Sequence, residues 1–307
     1  MSLLDARHHI HSIKNISHMT KAVETVAASK MRRSQALALA GRPHALSALN
    51  MLKNILARTS ETPFLLQKRS VHKTVLAVIT SDAGFAGSLN ANVFRTATEW
   101  LNTHSNEPTE IITVGKKART FARNSGRTAV RSFSGFGDYL FPVHTMPFAV
   151  FLLDGFCGGS WDRVVICYTN FRTALVQETK VVEILPFHIP EIETAIRGIM
   201  PEYGRYASKT QNSATLKFNY EYAFEPSPTE VLEALLPEIF KIYIHHLLLE
   251  SNASEHSARM VAMKRASENA EEILRDYTAQ YNVLRQATIT KELTEIIAGT
   301  EALGETA

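Results

Sequence analysis

Two kinds of hydrophobic pattern divide the chain into three parts. Near the N-terminus, apolar residues recur at spacings close to the helical period, and no Pro or Gly precedes Gly41. This pattern predicts a long amphipathic helix over residues 1–58, whose polar face carries basic side chains. The recurring apolar residues are Ile10, Ile13, Ile16, Val23 and Val26.

The pattern changes at Lys73, where short and nearly all-apolar runs rich in β-branched residues predict buried strands. Helical-period segments follow the first two runs, so strands alternate with helices, which is typical of a mostly parallel sheet in an α/β domain. A further helix is predicted at Met146–Phe156. The last two strands are separated by a short polar loop and are compatible with an antiparallel hairpin. The predicted strands are Thr74–Ser81, Thr109–Val114, Ala129–Phe133, Arg163–Thr169 and Thr179–Leu185.

The C-terminal segment predicts a second long helix. Ser227 can cap it, Pro228 fits its first position, and Glu230 has capping-box spacing. Pro237 is expected to kink or restart this helix. Beyond it, residues at alternating steps of three and four predict a coiled-coil seam. The seam residues are Leu249, Ala253, His256, Met260, Met263, Ser267, Ala270, Leu274, Tyr277, Tyr281, Leu284 and Thr288.

Several residues of this seam are small, which suits close packing against the Ala-rich stretch 26–40. We therefore predict an α/β fold class, with a long antiparallel coiled coil of N- and C-terminal helices and an inserted Rossmann-like α/β domain. The predicted segments are 1–58, 73–215 with an irregular loop near 186–213, and 216–307.

Charge is distributed unevenly along the chain. Residues 1–58 contain nine Lys or Arg against two acidic residues, about +7, whereas the whole chain carries only +3. A basic helix of this kind is a solvated face or contacts an acidic protein surface. Nucleic acid is a weaker candidate partner, because Ile, Val and Met rather than stacking aromatic residues interleave with the charges.

Candidate sites for other chemistry are weak. The loop SDAGFAGSLN has the G-x-x-G spacing of Gly84 and Gly87 but lacks the phosphate-binding motifs, so a tight strand-to-helix turn is the simpler interpretation. Four histidines near the N-terminus lack a metal-binding motif and are expected to be solvated. Cys157 and Cys167 are expected to be core thiols. The histidines are His8, His9, His11 and His18.

Three stretches together resemble the gamma subunit of F-type ATP synthases: IKNISHMTKAVETVAASKMRRSQ, ASEHSARMVAMKRASENA and RQATITKELTEIIAGTEAL. The resemblance extends to SDAGFAGSLN and YAFEPSPTEVLEALLP and is loose through the middle domain. It implies a non-catalytic rotor shaft that couples proton or sodium flow across a membrane to ATP synthesis or hydrolysis in the beta subunits. It also implies no cofactor, no nucleic-acid partner and no direct membrane span.

The resemblance further implies partner contacts at matching positions. In this family the paired helices pass through the ring of alpha and beta subunits, and the α/β domain lies beside the epsilon subunit and the c-subunit ring. Ala83 and Ala86 replace a usual Arg and Cys, which removes one charge-assisted contact. The ring-contact positions are Lys21, Val23, Lys30, Arg32, Arg33, Asp82, Gly84, Gly87, Arg259, Arg285, Gln286, Thr290, Glu292 and Glu295; those facing epsilon and the c ring are Tyr222, Phe224 and Glu225.

Only Met1–Ser12 precede the IKN motif, too few for an organelle transit peptide. We therefore expect a bacterial protein held peripherally at the cytoplasmic face of the cell membrane. Two alternatives stay open from the residues: an α/β enzyme that binds a phosphorylated ligand at Gly84–Gly87 and oligomerises through its coiled coil, and a coiled coil that binds nucleic acid.

Overall fold

The computed structural model describes residues 3–56, 59, 63–138, 140–188, 190, 225 and 227–304, apart from the side chains of Arg42 and residues 298–304. These residues belong to two compact units. The first unit comprises Met1–Val26 and Met260–Ala307, and the second comprises Ala27–Arg259. The sequence-based segments 1–58, 73–215 and 216–307 stay a prediction, and most of the irregular loop expected near 186–213 lies outside the described residues.

Two long helices flank alternating strands and helices. In chain order the described elements are α1 (Leu3–Leu56), a 3₁₀ helix (Phe64–Leu66), β1 (Thr74–Ile79), α2 (Leu89–Thr103), β2 (Thr109–Val114), α3 (Lys116–Asn124), β3 (Ala129–Phe133), α4 (Pro142–Cys157), β4 (Arg163–Phe171), β5 (Gln177–Leu185) and α5 (Pro228–Gly304).

The five described strands form one sheet in the order β3-β2-β1-β4-β5. β3, β2, β1 and β4 are parallel, and β1 pairs with β2 from Thr74 opposite Thr109 to Ile79 opposite Val114. β5 is antiparallel to β4. The expected α/β sheet and its closing hairpin are therefore confirmed.

Helices cover both faces of this sheet, as a mostly parallel sheet requires. All six residues of β1 are buried. On one face, the apolar cluster joins α4 to buried side chains of α1 and α5 such as Leu52 and Phe240. On the other face, Val93 and Leu101 of α2 and Ala118 of α3 pack against β1, β2 and β4. Each fully buried Leu or Phe contributes roughly 1.5–3 kcal/mol, so the second unit has a substantial core of its own.

The predicted seam of α5 is confirmed over most of its length. Its residues from Leu249 to Leu284 are buried or half-buried, whereas Thr288 is exposed. In α1, small residues such as Ala6 and Ala27 are buried, whereas Ile16 and Val26 are 52% and 51% exposed. The packed stripe of α1 therefore includes the half-buried Ile10, Ile13 and Val23 of the predicted repeat but not Ile16 or Val26, and its most buried positions are small residues.

Contacts within each unit show the direction of the two long helices. In the first unit, the rings of His9 and Tyr277 lie 5.5 Å apart. In the second unit, the Ser34 hydroxyl donates to Asn252 Oδ1 at 2.6 Å. Early residues of α1 thus meet late residues of α5, as expected for antiparallel helices.

The start of α5 agrees with the sequence prediction. Ser227 Oγ accepts the Glu230 N–H at 3.2 Å and donates to Glu230 Oε1 at 3.0 Å, which confirms the predicted cap. Pro237 does not restart the helix, which continues through it. The buried neighbours Leu236 and Phe240 hold this turn in the core, and their packing outweighs the lost backbone hydrogen bond. α4 begins at Pro142, one turn before the predicted start.

Candidate functional site

The loop that follows β1 is tied to the rest of the second unit by Asp82. Its Oδ1 accepts the Lys116 N–H at 2.8 Å, and its Oδ2 accepts the Gly135 N–H at 2.8 Å. Lys116 is the first residue of α3, so the carboxylate satisfies a free N–H at the positive end of that helix. Both oxygens of this predicted contact residue therefore bind the chain's own backbone.

The same loop contains two left-handed residues. Phe85 has φ 62° and Gly87 has φ 57°, whereas Gly84 does not need this conformation. The sequence correctly predicted a turn that depends on unusual backbone angles, but one of them falls on Phe85. A bulky residue in this region carries strain. Phe85 is nonetheless 78% exposed, so the loop presents an aromatic ring at its surface.

Arg259 of α5 links this loop to the long helix. Its Nε donates to the Gly84 carbonyl at 3.2 Å, and its Nη2 pairs with Glu255 at 2.6 Å. Nη1 lies 3.3 Å from His256 Nδ1. The Arg259 side chain is only 12% exposed. One of these interactions thus joins the Gly84 loop to α5, while Glu255 and His256 of the same helix hold the guanidinium in place.

Burial controls the charges around Arg259. Burial raises the pKa of Glu255, and the nearby carboxylates of Asp82 and Asp138 raise this pKa further, while Arg259 lowers it. Burial and the charge of Arg259 lower the pKa of His256 to about 4. The His256 ring is therefore neutral near pH 7, and its Nδ1 can accept a hydrogen bond from Arg259.

Lys30 of α1 extends this cluster. Its ammonium lies 2.7 Å from Asp138 Oδ2, and both groups act on the pKa of His256. The second unit therefore brings together predicted contact residues that are far apart in the sequence. These are Lys30, Asp82, Gly84 and Arg259.

The remaining predicted residues of α1 lie outside this cluster. Lys21 pairs with Glu24 at 3.0 Å within the first unit. Val23 is half-buried, and Arg32 and Arg33 are exposed. Their proposed ring contacts stay predictions.

The late part of α5 is a helix without burial. Every residue from 285 to 297 is exposed, including the apolar Ile289, Leu293 and Ile296 at 48%, 55% and 63%. Their spacing of four and three places them on one stripe of the helix, and an exposed apolar stripe marks an interaction surface. Five predicted ring-contact residues lie in this stretch: Arg285, Gln286, Thr290, Glu292 and Glu295.

Of the three residues expected to face epsilon and the c ring, the structure describes only Glu225. Tyr222 and Phe224 lie outside the described residues. Glu225 is exposed.

The described residues were also compared with metal sites, membrane spans and reactive cysteines. Among the described residues, no group of three His, Cys, Asp or Glu side chains is arranged to hold a metal ion. The structure also describes no helix with the length and apolarity of a membrane span. Cys167 is buried, and burial raises its pKa to about 12. The core prediction is wrong for Cys157, which is exposed because it ends α4 beside the Gly158 turn.

Sequence reasoning missed a buried acid on α5. Glu250 is 1% exposed, and the hydroxyl-bearing rings of Tyr168 and Tyr243 lie in the same buried cluster. Burial raises the pKa of Glu250 to about 8, and neither carboxyl oxygen has a hydrogen-bond partner among the described residues. The signal was its position directly after the apolar run of Leu247, Leu248 and Leu249, next to the seam.

Sequence similarity to known proteins covers nearly the whole chain. A family model described as ATP synthase matches residues 2–303. The ATP synthase gamma chain of Roseiflexus castenholzii is 38% identical over 309 residues, covering 99% of each chain. The chain belongs to the ATP synthase gamma chain family. The gamma chain of Chloroflexus aurantiacus is 36% identical over 305 residues and covers 97% of this chain and 98% of its own length.

Solved structures agree with the fold of this family. A chain of the Euglena gracilis mitochondrial ATP synthase matches with a TM-score of 0.63 at 18% identity, covering 98% of this chain and 94% of its own. A chain of the Tetrahymena thermophila mitochondrial ATP synthase central stalk and c ring matches with a TM-score of 0.57 at 24% identity, covering 81% and 99%. These two matches show that the chain shares the fold of those solved chains.

Proposed function

We propose that this gamma-family chain is the central rotor shaft of an ATP synthase and couples transmembrane proton or sodium flow to ATP synthesis or hydrolysis in the beta subunits. The observation that carries the proposal is the exposed end of α5, with its apolar stripe of Ile289, Leu293 and Ile296. An exposed apolar stripe of this kind is typical of a surface that another protein covers. The chain itself is a non-catalytic subunit of the complex.

The geometry suggests how such a shaft acts. The exposed end of α5 combines apolar side chains with hydrogen-bonding groups such as Arg285 and Gln286, so its sides differ chemically. When this helix turns inside a ring of identical beta subunits, each subunit meets a different side in turn. A difference in contact free energy of about 1.4 kcal/mol changes an affinity tenfold, so rotation can alter nucleotide binding without a catalytic group on the shaft.

The partner assignments follow the same proposal. The alpha and beta subunits would meet the exposed end of α5, the basic part of α1 and the Gly84 loop. Epsilon and the c ring would meet the region of Tyr222, Phe224 and Glu225. The complex would hold the chain peripherally at the cytoplasmic side of a bacterial cell membrane.

The phosphate-binding enzyme has less support. This alternative places the phosphate at the loop SDAGFAGSLN, which contains the Asp82 carboxylate and no basic side chain. A carboxylate at this position repels a phosphate. Nucleotide binding by the isolated chain would favour this alternative.

Reconstituted ATP hydrolysis tests the proposal. Cognate alpha and beta subunits should hydrolyse ATP faster and more stably with this chain than without it, with one copy recovered per ring. Replacing Arg285 and Gln286 with Ala should lower the stimulation by roughly tenfold, because a charge-assisted contact contributes about 1.5–3 kcal/mol. The control R95A removes an exposed arginine of α2 and should keep full stimulation. Absence of co-assembly would overturn the proposal.

A further inference from the structure

The surface of α3 and its following turn is unusually basic. Residues 116–127 contain five cationic side chains and no acidic residue, although the whole chain carries only +3. All five side chains are exposed. They are Lys116, Lys117, Arg119, Arg123 and Arg127.

These five cations differ from several other basic groups of the second unit. Lys30, Lys73 and Arg172 pair with carboxylates at 2.7, 2.7 and 3.1 Å. Within the part of the chain that the structure describes, none of the five cations of α3 and its following turn forms an ion pair. No ion pair there therefore neutralises these side chains.

Part of this charge also works against the helix that carries it, although Arg123 is favourably placed in the last turn. Lys116 and Lys117 occupy the first turn of α3, where the helix dipole disfavours cations. Arg119 and Arg123 are four residues apart, a spacing at which like charges repel. A short helix that keeps charges against its own stability breaks a local rule, and such breaks concentrate at functional positions.

The helix packing places these charges in a fixed row. Ala118 and Ala122 are buried against the sheet, and Phe121 stacks on Phe94 of α2 with ring centroids 4.7 Å apart. Lys116, Arg119 and Arg123 then follow one another at steps of three and four residues. From Lys116 to Arg123 the row spans about 10 Å at 1.5 Å per residue.

We propose that this row docks an acidic segment of a neighbouring protein subunit, with carboxylates spaced along it to match the cations. Charge complementarity identifies the chemistry of the partner. A protein is favoured over a single-stranded nucleic acid because the Phe121 ring is stacked on Phe94 of α2 and offers no platform for bases. The inference rests on the proposed function, which supplies neighbouring subunits.

Zero-length cross-linking of the complex assembled from cognate subunits tests this docking. A water-soluble carbodiimide joins an ammonium to a carboxylate only when the two are in contact. Mass spectrometry should find Lys116 or Lys117 linked to an Asp or Glu of another subunit. The Lys73–Glu110 pair, at 2.7 Å, provides an internal positive control within the same chain.

A variant separates specific docking from general reactivity. R119Q/R123Q keeps both lysines, and it should lower the yield of the intersubunit product at least fivefold while the Lys73–Glu110 product stays unchanged. The control R95Q removes a cation of α2 and should change neither yield.

Two outcomes would overturn the inference while the proposed function stands. One is an assembled complex that gives the Lys73–Glu110 product but no intersubunit product from Lys116 or Lys117. The other is binding of a 20-base-pair DNA duplex, or of vesicles with anionic lipid, that R119Q/R123Q abolishes without any effect on cross-linking in the complex. Failure of the chain to assemble at all would instead contradict the proposed function on which the inference rests.

Discussion

Gly115 and Gly84 differ in the space that the structure leaves for a side chain. A Cβ at Gly115 would collide with the Thr80 carbonyl, and Gly115 also has φ 95°, whereas a Cβ at Gly84 meets nothing within 4 Å. We expect G115A to lower the free energy of unfolding by about 2 kcal/mol or more. G84A should change it by less than about 0.5 kcal/mol. Denaturant unfolding of the full chain measures both.

This pair of variants also isolates the partner contact at Gly84. If G84A keeps its stability but lowers stimulated ATP hydrolysis in the complex, the loss arises at the contact with another subunit. A large loss of stability in G84A would contradict the geometry of the loop.

Glu250 predicts a specific pH dependence of stability. Its pKa is raised from 4.5 to about 8 by burial, so the folded chain keeps a proton that the unfolded chain releases between these values. The free energy of unfolding should therefore fall as pH rises from about 4.5 to about 8. At 1.36 kcal/mol per pKa unit, the expected contribution is several kcal/mol. Tyr168 and Tyr243 pack beside this carboxyl group, and Lys180 and Arg172 oppose the shift.

Chemical denaturation at pH 5 and pH 8.5 checks this effect. E250Q removes the titrating group, so wild type should lose at least about 2 kcal/mol more than E250Q between the two pH values. The control E233Q replaces an exposed glutamate of α5 and should follow wild type. Equal pH dependence in E250Q and wild type would mean that Glu250 is ionised in the folded chain.

Residue roles were the least predictable part of the chain from sequence. The family resemblance selected Asp82, Gly84 and Arg259 by position. It could not reveal that Arg259 binds the Gly84 carbonyl, because the two residues are 175 positions apart and neither has a pattern that depends on the other. The exposure of Cys157 was missed for a related reason, since apolar neighbours in sequence do not show where a helix ends.

At the scale of elements, the seam of α5 depends on small residues. Ala270 is 6% exposed, whereas Ala279 on the same helix is exposed. A270L should lower the free energy of unfolding by about 1–3 kcal/mol through overpacking. The matched control A279L should have an effect within about 0.5 kcal/mol. Thermal or denaturant unfolding compares the two, and equal effects would contradict the seam.

Secondary structure followed closely from the sequence where one local signal dominated. β2 and β3 have the predicted bounds; Pro108 and Gly115 flank β2, and the polar Thr128 and Ser134 flank β3. β4 extends past the prediction through Asn170 and Phe171, where hairpin pairing with β5 supplies hydrogen bonds that the sequence pattern does not show. Packing likewise carried α5 through Pro237, against its local preference.

At the scale of the whole molecule, the exposed apolar stripe of α5 should matter for assembly rather than for folding. I289S/L293S changes two exposed residues, so the free energy of unfolding should change by less than about 1 kcal/mol. Assembly with the alpha and beta subunits should weaken by roughly tenfold or more, because about 1 kcal/mol or more of apolar burial is lost per side chain. Sedimentation of the mixed subunits measures this. A stable complex of unchanged affinity would contradict a role for the stripe.

Direct observation of rotation tests the central claim. Cys157 is the exposed one of the two cysteines, so it can carry a bead through a thiol-reactive linker while the alpha–beta ring is fixed to a surface. The account predicts unidirectional rotation of the bead when ATP is added, and no rotation without ATP. Sustained ATP hydrolysis by the same assembled complexes with a bead that stays still would contradict the rotor.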